Sequence, residues 1–141
     1  MQRKNYSSGT HWESIIGYSR SVRFGDFVYI SGTTATDEKG NIVGIGNSYL
    51  QTVHIIKNLR IALEGLDATL EDVVRTRVYV TNIGDWEEIG RDYSEYFNHI
   101  CPTATMVEVS RLIDPQILVE IEVDAVSPQI LRTYPKSPAA L

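Results

Sequence analysis

The run VEIEVDA places Glu120, Glu122 and Asp124 at every second position, with Val119, Ile121, Val123 and Ala125 between them. Successive side chains of a strand point to opposite faces, so this run predicts a strand with one apolar face and a row of three acids on the other. A carboxylate held at the edge of a cleft can orient water or take its proton. A carboxylate row on an open strand face can equally do no more than meet solvent and discourage strand-to-strand aggregation. Spacing alone leaves both readings standing.

Other residue types capable of chemistry give weaker signals. His11, His54 and His99 are far apart and show no metal-ligand spacing, and His54 falls within a helical pattern where a packed or surface role is expected. No H-E-x-x-H, C-x-x-C or G-x-x-x-x-G-K motif occurs, and GIGNSY lacks the third glycine of a dinucleotide fingerprint. GIGNSY therefore reads as loop. Cys101 stands alone before Pro102, with no histidine in a recognisable catalytic relation, and reads as a structural thiol. Arg75, Arg77 and Arg111 make at most a modest basic patch and read as solvated strand positions.

The elements that must carry these residues follow from pattern. The first dozen residues are polar and predict loose chain. YSRSVRFGDFVYISG predicts two strands about Gly25-Asp26, and DEKGNIV a turn with Gly40-Asn41 at its tip. NSYLQTVHIIKNLRIALEGL has apolar residues at helical spacing (Ile56, Leu59, Leu63, Leu66), an expected capping box of Ser48 with Gln51, and Gly65 near its stop. VVRTRVYVTN alternates, with Val74, Thr76, Val78 and Val80 on one face and Arg75, Arg77 and Tyr79 on the other. A second helix fits DWEEIGRDYSEYFNHI, capped by Asp85 and striped by Trp86, Ile89, Tyr93 and Phe97. TATMVEVSRL and ILVEIEVDAV predict two last strands separated by Pro115, and the proline-bearing tail SPQILRTYPKSPAAL predicts irregular chain. The order predicts an α+β domain over 1–141, one mixed sheet with two helices on one face. Apolar positions on both faces of several strands predict that a partner subunit covers the other face.

A balance of 43% hydrophobic and 22% charged residues suits a soluble globular protein, and a net charge of −5 disfavours nucleic acid as a partner. No apolar run is long enough for a membrane span, no signal-peptide core precedes the domain, and one cysteine makes no internal disulfide, so a cytoplasmic setting is expected.

Seven segments in register resemble the Rid family, also called the YjgF/YER057c/UK114 family: IGYSRSV, GDFVYISGTTA, NLRIALE, DVVRTRVYVTNIGDW, YSEYF, PTATMVEVSRL and VEIEVDAV, spanning about residues 15 to 126. The resemblance implies a chorismate-mutase-like fold and a homotrimer with clefts between subunits. It also implies cofactor-independent hydrolysis of reactive imines and enamines to keto acids and ammonia. In such members an arginine in a Pro-Ala-Arg-Ser segment grips the substrate carboxylate, a glutamate in the last core strand positions water, and a tyrosine in a Pro-Tyr-Ser segment lines the cleft. The glutamate matches Glu120 and the tyrosine matches Tyr18, with Gly17 in the proline's place. The arginine is replaced by Ala104 in PTAT. Thr33 stands where many members carry glutamine, and Gly90 where many carry asparagine.

Alanine offers no donor where an arginine fork would make two charge-assisted bonds. Arg20, two residues from Tyr18 and where the family commonly has glutamine, either reaches the cleft in the arginine's stead or sits solvated at the rim, paired with an acid. Thr33, Thr34 and Thr105 add hydroxyls for a neutral or zwitterionic ligand. Two functions fit: a hydrolase or weak deaminase for imine-, enamine- or amide-like metabolites, and a non-catalytic small-metabolite-binding protein on the same scaffold. The ribonuclease label sometimes attached to this family fits an acidic chain least.

Overall fold

The computed structural model describes residues 1–129. Its elements follow as β1 (Arg3–Tyr6), α1 (His11–Ile16), β2 (Ser21–Phe24), β3 (Phe27–Thr33), α2 (Ser48–Glu64), β4 (Val73–Val80), α3 (Trp86–Phe97), β5 (Thr103–Glu108) and β6 (Val119–Val126). The strands form a single sheet in the order β1-β2-β3-β6-β4-β5. Only the β4–β5 pair is parallel; the other pairs are antiparallel. Because β3 and β4 both run antiparallel to β6 between them, α2 is a crossover connection, as α3 is between β4 and β5. Such crossovers lay their helices on the sheet, and α2 and α3 pack together on one face.

The alternation in β6 is realised residue by residue: Val119, Ile121, Val123 and Ala125 are buried, and Glu120, Glu122 and Asp124 lie half-buried on the opposite face. The apolar row meets Ile55, Ile56, Leu59 and Leu63 of α2 and Ile89 and Phe97 of α3 in one core. A fully buried leucine, isoleucine or phenylalanine contributes roughly 1.5–3 kcal/mol of burial energy, so this layer dominates the domain's stability. Arg23 of β2, 2% exposed, donates to the carbonyls of Leu66, Gly25, Ser127 and Asp67 and ties the end of α2 to the end of β6.

Several expectations are corrected. The N-terminal dozen is not loose: a polar strand with no apolar periodicity pairs through its backbone with β2, and a one-and-a-half-turn helix follows. Asn47, not Ser48, caps α2 by accepting from the Leu50 amide (2.9 Å). The Ser48 hydroxyl instead donates to Asp85 Oδ2 (2.6 Å), which occupies the carboxylate expected to cap α3. Val74 leaves the apolar face because the register shifts between Val73 and Arg75, and Trp86 of the expected stripe is exposed. The strand expected through Leu112 stops at Glu108. Most of the tail expected to be irregular, from residue 130 on, lies outside the described residues. Among the described residues no helix is long and apolar enough to cross a membrane.

Candidate functional site

The polar face of β6 lies opposite Tyr79 and Arg77 of β4, with Tyr79 across from Glu120 and Arg77 across from Glu122. The row is therefore not a bare column of like charges. The Tyr79 hydroxyl donates to Glu122 Oε1 (2.6 Å), and this bond to the carboxylate holds the phenol above its ordinary pKa. Arg77 Nη1 lies 3.4 Å from Asp124 Oδ2 and 3.7 Å from Glu122 Oε1. Glu122 and Asp124 are engaged with β4. Glu120 differs: among the described residues no hydrogen bond or ion pair reaches its carboxylate.

The strand next to β6 explains where that carboxylate rests. The β3–β6 register shifts between Ile30 and Thr33, and Gly32 lies within the shift. A Cβ added to Gly32 would stand 2.6 Å from Glu120 Oε1, so only a glycine leaves room for the acid to fold against this strand. Arg20 reaches the same residue. Its Nη2 donates to the Gly32 carbonyl (2.6 Å), and its own carbonyl accepts from the Ser31 amide (3.0 Å). The Nε–H of Arg20 is buried without a hydrogen-bond partner among the described residues. Burial pushes the Glu120 carboxyl up, Arg20 opposes that rise, and Glu122 adds to it. Burial pulls the Arg20 guanidinium down, and Tyr18, Glu13 and Glu120 act against the fall. Arg20 is half-buried, and both its guanidinium and the Glu120 carboxylate rest against Gly32.

Tyr18 follows α1 and stays exposed. Gly17 before it has φ +89° and closes α1 in the left-handed conformation, which a proline, fixed near −65°, cannot adopt. The Glu13 carboxylate accepts from the hydroxyls of Ser8 and Thr10 and holds the loop that carries α1.

The remaining candidates are not gathered here. Thr33 is buried, opposite Ile121 on the helix-covered face, and its hydroxyl donates to the Ser31 carbonyl (2.8 Å). Thr105 lies across from Arg77 on the open face, but on β5, beyond β4. Ala104 lies across from the buried Thr76, so it belongs to the opposite face from Glu120 and is two strands away. Within one chain Ala104 and Glu120 cannot share a cleft. Gly90 has open space around its α-carbon. Gly32 and Tyr79 also belong to the Glu120 face of the sheet: an isolated glycine in a strand signals a bulge or a close approach, and Tyr79 shares the alternation of Arg77.

The family model described as Endoribonuclease L-PSP matches residues 9–127. The chain belongs to this family, the YjgF/Rid family. A crystal structure of a YjgF/YER057c/UK114 family member from Mycobacterium tuberculosis is similar with a TM-score of 0.81 and 44% identity, covering 89% of this chain and 99% of that one. A RutC family protein of Saccharolobus solfataricus is 40% identical over 108 residues, 77% of this chain and 85% of its own length. A 3-aminoacrylate deaminase, RutC, of Acinetobacter baylyi is 29% identical over 104 residues, 74% of this chain and 82% of that protein. The sheet with helices on one face is the YjgF-like fold. In this Rid protein Glu120, Arg20 and Gly32 meet at one place on the sheet, and Ala104 and Thr105 stand at its far edge.

Proposed function

We propose that this Rid protein is a cofactor-independent hydrolase of small imine-, enamine- or amide-like metabolites, acting in the cytoplasm as a homotrimer with its sites at subunit boundaries. The observation that carries this reading is the free carboxylate of Glu120. Its two neighbours in the row are bonded to Tyr79 and Arg77, whereas Glu120 is half-buried, unbonded among the described residues and beside a cation. A carboxylate in that state is suited to orient water toward a C=N carbon and take its proton. Water adds to the carbon, the proton passes to nitrogen, and collapse of the adduct leaves a carbonyl product and ammonia. The Tyr18 hydroxyl would hold the ligand's polar end, and Thr105 of a neighbouring copy would face the same cleft.

The deaminase activity in the name of the Acinetobacter baylyi relative supports this reaction class. Ala104 narrows it. Without a guanidinium at that position an anionic substrate meets Glu120 with no fork to hold its carboxylate. Poor turnover of small amino-acid-derived imines follows, with preference for uncharged or zwitterionic ligands.

The same alanine favours a second reading, a small-metabolite-binding protein without turnover. Thermal-shift screening of neutral amides, keto acids and imine-forming amines, read beside ammonia release, separates the two. Ammonia release that disappears in Glu120→Ala supports the hydrolase; stabilisation by ligands with no release from any of them supports the binder.

A further inference from the structure

Arg20 is the cation beside Glu120, and its surroundings say what its charge serves. The guanidinium is docked by its own chain: Nη2 is committed to the Gly32 carbonyl. Gly32 is also the residue against which the Glu120 carboxylate folds, so one backbone unit fixes both charges. The charges of Glu13 and Glu120 both act on this guanidinium. A ligand carboxylate arriving there would be a third anion at a cation already facing two. It would also find one Nη committed to Gly32 and the Nε–H buried, which leaves Nη1 rather than the whole fork open to it. Glu120, by contrast, loses hydration where it lies, and a group that orients water must keep its charge there.

We infer that Arg20 is a positioning residue for Glu120 rather than a clamp for a ligand carboxylate, and that the site takes ligands uncharged at this end, of the primary-amide or neutral-imine class. This rests on the reading of Glu120 as the water-orienting group.

The test is a carbon-13 NMR titration of the glutamate carboxyls in the full chain, with the Glu120 signal assigned by its loss in Glu120→Gln. In Arg20→Gln the Glu120 midpoint should rise by about one pH unit, and Arg20→Lys should restore it most of the way. Arg20→Met, which keeps the aliphatic stem, takes the place of the glutamine variant if that one loses its fold. Propionamide should shift the amide signals of Gly32 and Tyr18 at lower concentration than propionate, and Arg20→Gln should weaken but not abolish the propionate response. A Glu120 midpoint indifferent to Arg20, or propionate binding that vanishes with Arg20→Gln, would overturn the inference. If imine hydrolysis is absent while the midpoint still follows Arg20, the hydrolase reading falls and the role of Arg20 stands.

Discussion

Glu120 Oε1 lies so close to the α-carbon of Gly32 that a methyl group built there would stand 2.6 Å from it. Contact this tight means that the absence of a side chain on β3 sets where the carboxylate of β6 can rest. Gly32→Ala should therefore act on the site more than on the fold. The displaced atom is the far end of a flexible side chain, so the melting temperature should shift by no more than ~1 kcal/mol would cause. Turnover should fall on the order of 100-fold, because a water-orienting group moved by about 1 Å loses its alignment. Wild-type turnover in a folded Gly32→Ala protein would show that the position of Glu120 is unimportant.

Asp92 supplies a prediction about pH. It is 1% exposed on α3, both carboxylate oxygens are buried, and neither has a hydrogen-bond partner among the described residues. Burial first, then the charge of Glu95 on the same helix, pushes its carboxyl up to about 6 from an ordinary 3.8. The folded protein thus holds this proton more tightly than the unfolded chain does. Its stabilising contribution is full below about pH 3.8 and is lost as the pH rises through about 6. Asp92→Asn should match the wild type near pH 4 and exceed it at pH 7.5 by on the order of 2 kcal/mol, read as a higher melting temperature. Equal melting temperatures at both pH values would mean that water or a partner chain already satisfies this carboxylate.

Much of this architecture is legible in the residues, for a definite reason. Period-two alternation in VEIEVDAV and helical spacing in α2 each have one buried solution, and the core follows from them. The polar β1 has no such signal, because an edge strand held by its backbone needs no apolar face. The Ser48–Asp85 bond is a tertiary contact between two helix starts, and it overrides the local capping expected of both residues. Arg23 would read as solvent-facing from its charge, yet it is buried on four carbonyls that only the fold assembles. In the site, parity assigns Glu120 its face, but whether Thr33 shares it depends on a register shift that the sequence marks only by Gly32. Why Asp92 is tolerated without a partner has no account in the described residues.

Assembly is the next expectation. The open sheet face carries Phe24, Phe27 and Tyr29, each more than 40% exposed, and Ile15 and Ile16 on α1 are exposed by 70% and 67%. With Ala104 and Glu120 on opposite faces of one sheet, a shared cleft needs a second copy. Light scattering after gel filtration should give about three times the 15.9 kDa chain mass. A stable monomer would remove any site that joins Ala104 to Glu120.

The most direct test of the proposed function measures consumption of 2-aminoacrylate, generated in place by a dehydratase, by the wild type and by Ala104→Arg. The wild-type protein should consume it poorly, since its carboxylate meets no guanidinium at position 104. Ala104→Arg should raise the rate by roughly 10-fold or more, the worth of one charge-assisted contact of ~1.5–3 kcal/mol. Adding Glu120→Ala should cancel that gain, while Glu122→Ala and Asp124→Ala should change it less. Rapid consumption by the unmutated protein would contradict the account, because it would show that this reaction proceeds with alanine where the family's arginine stands.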